Sequence, residues 1–246
     1  MIKFEHTEVV GWEAAIRGMR NPMNSWEKSD SYDSVNCGEC GIIDRDGICK
    51  PVEHRAECEK HREWYVGPND HDLMTKLRNA GTDHRKFIRM IVVYVDIIAP
   101  LYWWKEFDTY KVGTVANSCS TMHKIADKEF TRDDFSHEHL KNFDGLIRRN
   151  NQGLSNFPWF ETSLQSTIDV LNYARELYLE TKDKMYWWQM IQLLPSSYNQ
   201  KRTAMLNYEV LANMYRSRKN HKLDEWREFC EWIKTLPYSE IITGEE

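Results

Sequence analysis

The sequence predicts an α+β protein that is mostly helical and has a minority of strand. One segment, FIRMIVVYVDII at residues 87–98, is dense in β-branched and aromatic side chains, as buried strands are. Several longer segments repeat apolar residues every three or four positions, which is the period of a helix. The 246 residues, of which 13% are aromatic, are enough to bury a core without disulfide bonds.

Turn, cap and breaker residues divide the chain into these elements. Thr7 is a candidate helix cap, and Thr131 with Asp134 matches a capping box. Gly81 ends one helix and Pro100 ends the strand. The predicted helices span residues 8–19, 70–79, 131–149, 161–185 and 201–219, and a last helix runs from Leu223 until Pro237 closes it.

Composition excludes several classes of protein. The formal net charge is −5, so a nucleic-acid binder is not expected. The sequence has no apolar run long enough to span a membrane, and the first residues do not resemble a signal peptide. We therefore expect a cytoplasmic protein whose six cysteines are reduced thiols or metal ligands.

Two segments concentrate polar side chains that could bind a ligand. WKEFDTYKVGTVANSCST, residues 104–121, directly follows the predicted strand. In NYEVLANMYRSR, residues 207–218, helical spacing would put Asn207 and Arg218 on one face, roughly 16 Å apart. An amide and a guanidinium on one face can hold an extended polar ligand. The alternatives are a solvated loop and a surface helix whose polar side chains face water.

The late region of the chain resembles the flavin-dependent thymidylate synthases. In that family a Leu-Pro pair precedes an Asn, a second polar ligand follows six residues later, and an Arg follows after five more. Leu194-Pro195, Asn207, Asn213 and Arg218 have the same order and spacing. The resemblance implies that Asn207 and Asn213 contact FAD and that Arg218 contacts the uracil nucleotide.

The earlier region has the family's order of a helix, a Gly, a flavin-contacting His, an apolar strand and a signature loop. Here these correspond to residues 70–79, Gly81, His84, the strand at 87–98 and the loop that follows it. The segment AGTDHRKF leaves the register of the His open by about two residues. Thr82 is therefore a second candidate beside His84.

The signature loop departs from the family pattern, which is Arg-His-Arg, four residues, and then Asn-Glu-x-Ser. This chain has Thr109-Tyr110-Lys111 and then Ala116-Asn117-Ser118-Cys119-Ser120. Lys111 keeps a positive charge where the second Arg would be, but a Lys cannot form the bidentate fork of an Arg. The family's Glu corresponds to Asn117 or to Ser118.

Three further positions differ from the family. Lys105 stands where the family has an Arg, and Glu106 where it has a Gln. Glu209 stands where the late helix of the family has an Arg, which reverses the charge.

The resemblance implies a single domain, residues 1–246, with a helix-rich α+β fold, a small antiparallel sheet and a Cys-rich insert at about 36–63. It implies a homotetramer that methylates dUMP reductively at C5, or makes a related C5 one-carbon modification, with FAD, methylenetetrahydrofolate and NADPH. The implied catalytic residues are Arg218 and Tyr110, where Tyr110 either stacks on a ring or donates its hydroxyl. Lys111 would join the flavin contacts. The implied nucleotide contacts are Lys105, Glu106, Ser118, Ser120, Thr121 and Arg218.

The Cys-rich insert is a candidate structural zinc site. Cys37 and Cys40 form one CxxC, and Cys49 and Cys58 follow; the fourth ligand is Cys58, His54 or His61. The other interpretation is an insertion with incidental thiols. Two competing functions therefore remain: a catalytically silent flavin or nucleotide binder, and a zinc-stabilised interaction protein.

Overall fold

A computed structural model describes residues 2–35, 62–141, 147–150, 153–156 and 160–245. The strands, in chain order, are β1 (Lys3–Val10), β2 (Tyr32–Val35), β3 (Arg62–Tyr65), β4 (Val92–Pro100), β5 (Thr114–Ser118), β6 (Ile147–Asn150), β7 (Gly153–Asn156) and β8 (Asn199–Asn207). The helices are α1 (Trp12–Arg20), α2 (Pro68–Asn79), α3 (Leu101–Phe107), α4 (Thr121–Lys124), α5 (Phe160–Thr181), α6 (Lys184–Leu193), α7 (Tyr208–Arg218), α8 (Asp224–Lys234) and α9 (Glu240–Thr243).

A four-stranded antiparallel sheet in the order β1-β4-β8-β5 organises the fold. Two hairpin-like pairs, β2 with β3 and β6 with β7, lie outside it. The small antiparallel sheet implied by the resemblance is thus present, and helices dominate the rest of the described chain.

One face of this sheet builds the main core. On β4 the alternate side chains of Val93, Val95 and Ile97 are buried, whereas Tyr94 between them is 42% exposed. This alternation of inward and outward side chains is the period of a strand. The inward face packs with α7 and α8 around the buried rings of Trp103 and Trp226.

A second cluster of buried side chains lies between α5, α6 and the segment around Phe135. Leu164, Ile168 and Leu171 face Phe135 and Met190 in this cluster. Their spacing of three or four residues is the amphipathic pattern that predicted the long helix.

The start of the chain corrects the predicted helix over residues 8–19. Residues 3–10 form β1, and α1 begins only at Trp12. The register of β1 against β4 shifts between Glu5 and Glu8, and His6 has φ 53°. Such a bulge interrupts the period-two alternation, which hid the strand from pattern analysis.

The capping box at Thr131 and Asp134 forms as predicted, but the helix to residue 149 does not. The box opens only a single 3-10 turn, Arg132–Asp134, and Phe135 is extended and pairs with Tyr198. Residues 142–146 of the predicted helix lie outside the described chain, and residues 147–149 belong to β6. A local cap cannot propagate a helix where tertiary contacts select an extended backbone.

The first part of the predicted helix over residues 201–219 is a strand. β8 occupies Asn199–Asn207, and α7 starts at Tyr208. Ala204 and Leu206 point into the core, while β4 and β5 pair with the two edges of β8. The predicted helix over 161–185 likewise ends at Thr181, since Lys182 has φ 58° and Asp183 caps α6.

The proposed zinc ligands Cys37, Cys40, Cys49 and Cys58 lie outside the described residues, as do His54 and His61. Structural zinc therefore stays a prediction. Within the described chain, no helix is both long and apolar enough to cross a membrane.

Candidate functional site

Three side chains implied by the resemblance converge where α3, the turn after it and α7 meet. Glu106 lies in the last turn of α3, Tyr110 in the turn that follows, and Arg218 at the end of α7. His221, in the turn before α8, and Trp226, at the start of α8, complete the group. We call these five residues the Arg218 cluster.

The Arg218 guanidinium is held by two hydrogen bonds. Arg218 Nη1 donates to Glu106 Oε2 at 2.6 Å, and Arg218 Nε donates to the Tyr110 hydroxyl at 2.9 Å. Trp226 Nε1 also donates to Glu106 Oε2, at 3.0 Å. Charge-assisted bonds of this length are the strong class of protein hydrogen bond, so the guanidinium is held in one orientation.

Two aromatic rings lie beside this cation. The Arg218 Cζ atom lies 4.6 Å from the centre of the Trp226 ring and 5.5 Å from that of Tyr110. The side chain of Arg218 is 18% exposed and that of Glu106 is 35% exposed. Partial burial strengthens cation–π attraction, and it also leaves the guanidinium accessible to a ligand.

The Arg218 cluster can bind a flat ligand that carries carbonyl or anionic oxygens. Two of the five N–H groups of Arg218 are used by Glu106 and Tyr110, and the others have no hydrogen-bond partner within the described chain. Arg has no acceptor and stays charged, so these free groups point to an acceptor on a ligand. The His221 imidazole also lies beside the ion pair, with Nε2 3.5 Å from Glu106 Oε2.

Asn207 lies at the junction of β8 and α7 and caps the helix. Its Oδ1 accepts a hydrogen bond from Val210 N at 2.9 Å. The amide group of Asn207 lies against Gly113, which has φ 82°, so closely that a Cβ on Gly113 would come within 2.7 Å of Asn207 Nδ2. The Nδ2 group donates no hydrogen bond to any described residue, so it is free for a ligand.

The position of Asn207 corrects the geometry inferred from helical spacing. It is the cap at the end of a strand, with φ −110° and ψ 163°, and its Oδ1 is turned to Val210 N in the first turn of α7. The two residues are instead linked through the turn, because Thr114 Oγ1 donates to the Tyr110 carbonyl and Gly113 contacts Asn207.

Variants of Asn207 should separate its capping role from ligand binding. Asn207→Ala is expected to lower the free energy of unfolding by about 1 kcal/mol, because the orphan Val210 N–H loses its acceptor. Asn207→Asp keeps that acceptor but removes the Nδ2 donor. Urea unfolding should therefore rank Asn207→Asp near wild type, and equal losses in both variants would contradict a capping role.

The predicted phosphate-binding groups are dispersed in the described chain. Lys105 and Lys111 are exposed and form no hydrogen bond or ion pair with a described residue. Ser118 ends β5, about 13 Å along the strand from Thr114. Ser120 Oγ caps α4 by accepting from His123 N at 3.0 Å, and Thr121 is the first residue of that helix. Lys105 and Lys111 are thus the sequence neighbours of Glu106 and Tyr110 in the Arg218 cluster, whereas the hydroxyl groups belong to β5 and α4.

The remaining predicted flavin contacts, His84 and Asn213, lie at the 3-10 turn that begins at Arg85 and on α7. His84 is exposed at the start of the 3-10 turn Arg85–Arg89. Asn213 lies on α7, where its Oδ1 accepts from Arg216 Nη2 at 3.2 Å. Glu209, which reverses the family's charge, forms an ion pair with Arg85 at 2.8 Å.

Sequence reasoning missed Arg202, which lies opposite Ser118 on β8. Arg202 Nη1 donates to Asp108 Oδ1 at 2.8 Å, and its guanidinium lies 4.2 Å from the centre of the Trp104 ring. Because alternate residues of a strand share a face, Arg202 would have been predicted on the same face as Ala204 and Leu206 if residues 199–207 had been recognised as a strand. His221 and Trp226 were missed as cluster members because only the packing of α8 against α3 brings them there.

No family model matches the chain, and no curated protein matches it. Solved structures do match. ThyX from Helicobacter pylori, a flavin-dependent thymidylate synthase complexed with FAD and dUMP, is 16% identical with a TM-score of 0.58 over 99% of this chain and 98% of that chain. A second structure of ThyX from Helicobacter pylori, also with FAD and dUMP, is 15% identical, with a TM-score of 0.58 over 99% of this chain and 97% of that chain.

A third structure extends the likeness to another pyrimidine-modifying protein. The UMP/dUMP methylase PolB from Streptomyces cacaoi, bound with 5-Br dUMP, is 13% identical with a TM-score of 0.53 over 99% of this chain and 94% of that chain. All three likenesses extend over nearly the whole of both chains. The low identity is in keeping with the altered signature loop at Thr109-Tyr110-Lys111. The predicted fold is thereby confirmed: the chain has the fold of the flavin-dependent thymidylate synthases.

Proposed function

We propose that the protein is an FAD-dependent enzyme that methylates dUMP, or a related pyrimidine nucleotide, reductively at C5. The observation that carries this proposal is the Arg218 guanidinium, which is oriented by Glu106 and Tyr110 and still has free N–H donors. A cation in this position would stabilise negative charge on a uracil carbonyl as C5 reacts. Similar folds that bind dUMP or its 5-bromo analogue support the choice of nucleotide.

Each implied residue receives a role in this proposal. Arg218 contacts the base, and Tyr110 contacts Arg218 directly and offers its ring for stacking. Glu106 fixes the direction of the guanidinium. The nucleotide phosphate is assigned to Lys105 or Lys111 with hydroxyl groups from Ser118, Ser120 and Thr121. In the homotetramer that the resemblance implies, sites are shared between subunits, so these groups need not come from the chain that supplies Arg218.

The residues around the start of α7 fit a flavin. The Asn207 amide has free donors, and the close approach of Gly113 leaves the backbone of the turn uncovered by a side chain. Asn213, His84 and Lys111 are the further candidates, since amide and imidazole groups can bond the polar edge of the ring. When bound, FAD would supply the hydride, with methylenetetrahydrofolate as the carbon donor and NADPH as the reductant.

The proposal covers the whole chain as a single domain, residues 1–246, acting as a cytoplasmic homotetramer. The main task of its side chains is to orient the two rings, because positioning supplies a large part of the rate in such transfers.

The absorbance spectrum of purified protein tests cofactor binding. We expect the protein to carry FAD or to take it up, with quenching of FAD fluorescence, and we expect dUMP to perturb the flavin spectrum. Colourless protein that does not quench added FAD would overturn the proposal. Release of the C5 proton from dUMP in the presence of methylenetetrahydrofolate and NADPH then tests turnover.

A binder without turnover is the second candidate, and one observation favours it. The positions of the family's Arg-His pair hold Thr109, whose hydroxyl donates to the Glu106 carbonyl at 2.7 Å, and Tyr110, whose hydroxyl is bonded to Arg218. Neither supplies a cation. FAD and dUMP binding without proton release from C5 would identify this second function.

A further inference from the structure

A small basic pocket lies on a different face of α7 from the Arg218 cluster. It encloses about 100 Å³, and four cationic side chains are part of its lining: Arg78, Arg85, Arg216 and Lys219. Among the described residues that line it, none is acidic. Arg216 and Arg218 are two positions apart on the helix and so point roughly 200° apart. We call this site the basic pocket.

The cations of the basic pocket crowd one another. Arg78 is bound to backbone, since its Nε donates to the Ile241 carbonyl at 3.3 Å and its Nη2 to the Ile242 carbonyl at 3.4 Å. Burial, together with the neighbouring positive charge of Arg85, lowers the pKa of Arg78. Like charges packed together are unfavourable, so an anion between them would stabilise the arrangement.

Arg85 lines the basic pocket, pairs with a carboxylate and has one buried nitrogen without a partner among the described residues. Its Nη2 donates to Glu209 Oε1 at 2.8 Å, and both side chains are 11% exposed. Arg85 Nε and Glu209 Oε2 are shielded from solvent, yet neither has a hydrogen-bond partner in the described part of the chain. A buried polar atom without a partner is costly, and a bound ion or water is one way in which it is satisfied.

The rim of the basic pocket already attracts one carboxylate. Glu245 accepts a hydrogen bond from Lys219 Nζ at 2.9 Å and another from the Tyr215 hydroxyl at 2.7 Å, and both donors line the pocket. These bonds lower the pKa of Glu245. Even with Glu209 and Glu245 counted against the four cations, the site keeps a net charge of +2 (four minus two).

We propose that the basic pocket binds a phosphate group, with Arg85, Arg216 and Lys219 as the donors. Arg and Lys are the side chains that bind phosphate best, the first through its fork and the second as a point charge. The volume of about 100 Å³ is below the roughly 300 Å³ at which pockets for drug-sized molecules begin, so it fits a phosphate group and not a whole nucleotide. The proposal does not depend on the function assigned to the Arg218 cluster.

Calorimetric titration with inorganic pyrophosphate tests the site. Arg216→Gln with Lys219→Gln removes two exposed donors from the basic pocket, and binding should become about tenfold weaker or more. The matched control is Arg17→Gln with Lys124→Gln, which removes the same charge from two exposed pairs elsewhere. Affinity that is absent in wild type, or equally weakened in both double variants, would overturn the proposal.

A variant that is expected to bind pyrophosphate more tightly shows that weaker binding in the double variant is not caused by misfolding. Glu245→Gln removes the carboxylate that competes for Lys219, so pyrophosphate should bind more tightly than to wild type. Unchanged or weaker binding in this variant would contradict the proposal. Glu245 is 48% exposed, and its substitution leaves the core intact.

Two sources of phosphate remain, and one competition experiment separates them. If FAD displaces pyrophosphate, the group held in the basic pocket belongs to the dinucleotide. If FAD and pyrophosphate bind together, the site takes a separate phosphate. Arg218→Gln should leave pyrophosphate binding unchanged, so failure of the proposed function and failure of the phosphate site give different results.

Discussion

Arg218→Gln is expected to reduce kcat/KM for dUMP by about 10²–10³-fold, the usual loss when one preorganised donor to a developing oxyanion is removed. Glutamine keeps a polar side chain but has no charge and no fork. It also cannot satisfy Glu106 Oε2 and the Tyr110 hydroxyl at the same time, as the guanidinium does at 2.6 Å and 2.9 Å. The measurement is the dUMP-dependent change in the flavin spectrum, followed by steady-state kinetics if turnover is seen.

A second substitution at the same position separates charge from geometry. Arg218→Lys keeps the positive charge beside Tyr110 and Trp226 but offers a point charge in place of a planar fork, so we expect a loss close to that of glutamine. The control is Arg227→Gln, which removes an exposed Arg from an i,i+3 pair with Asp224 on the neighbouring helix. Activity within twofold of wild type in the lysine variant would show that charge alone suffices.

Local periodicity predicted those elements that depend on neighbours in sequence. α2 and α8, and most of α5, follow the expected boundaries, because each carries its apolar face in its own sequence. The strand predicted over residues 87–98 starts only at Val92, since Arg85–Arg89 form a 3-10 turn. β1 and β8 do not. The bulge at His6 breaks the alternation of β1, and the polar residues of β8 are held extended by strands that are distant in the chain.

In the candidate site, too, local sequence pattern predicted some relations between residues and missed those that depend on tertiary packing. Helical spacing related Asn207 to Arg218 on one face, whereas the chain relates them through the turn at Gly113. The resemblance, which depends on residue order and not on geometry, is what selected Glu106, Tyr110 and Arg218, and these three are in contact. His221 and Trp226 could not be predicted as members, since their place depends on how α8 packs.

The second large effect is expected at a buried ion pair far from the Arg218 cluster. Asp70 is fully buried in the first turn of α2, and Arg20 is 4% exposed. Asp70 Oδ1 accepts from Arg20 Nε at 2.6 Å, and its Oδ2 accepts from the hydroxyls of Ser29 and Ser31 at 2.7 and 2.6 Å. The carboxylate thereby ties the segment after α1 to the start of α2.

Asp70→Asn should lower the free energy of unfolding by about 3–5 kcal/mol, because it leaves the buried charge of Arg20 without a counter-charge. The new amide nitrogen would also face donors, since the groups around Oδ2 are hydroxyls and backbone N–H groups. Asp72→Asn, exposed on the same helix, is the control and should change stability by less than about 0.5 kcal/mol.

The pH dependence of this effect identifies its electrostatic origin. Burial alone would raise the pKa of Asp70, but the hydrogen bonds from Ser31, Ser29 and Arg20 more than offset it, so the pKa lies below its ordinary value. A folded-state pKa below the unfolded value of about 3.9 means that the stabilisation is complete above that pH and is lost as the pH falls further. Urea unfolding should therefore show the full difference between wild type and Asp70→Asn at neutral pH and a smaller one on acidification below about pH 4. A difference that stays constant on acidification would assign the loss to packing, because an uncharged contact has no proton to gain.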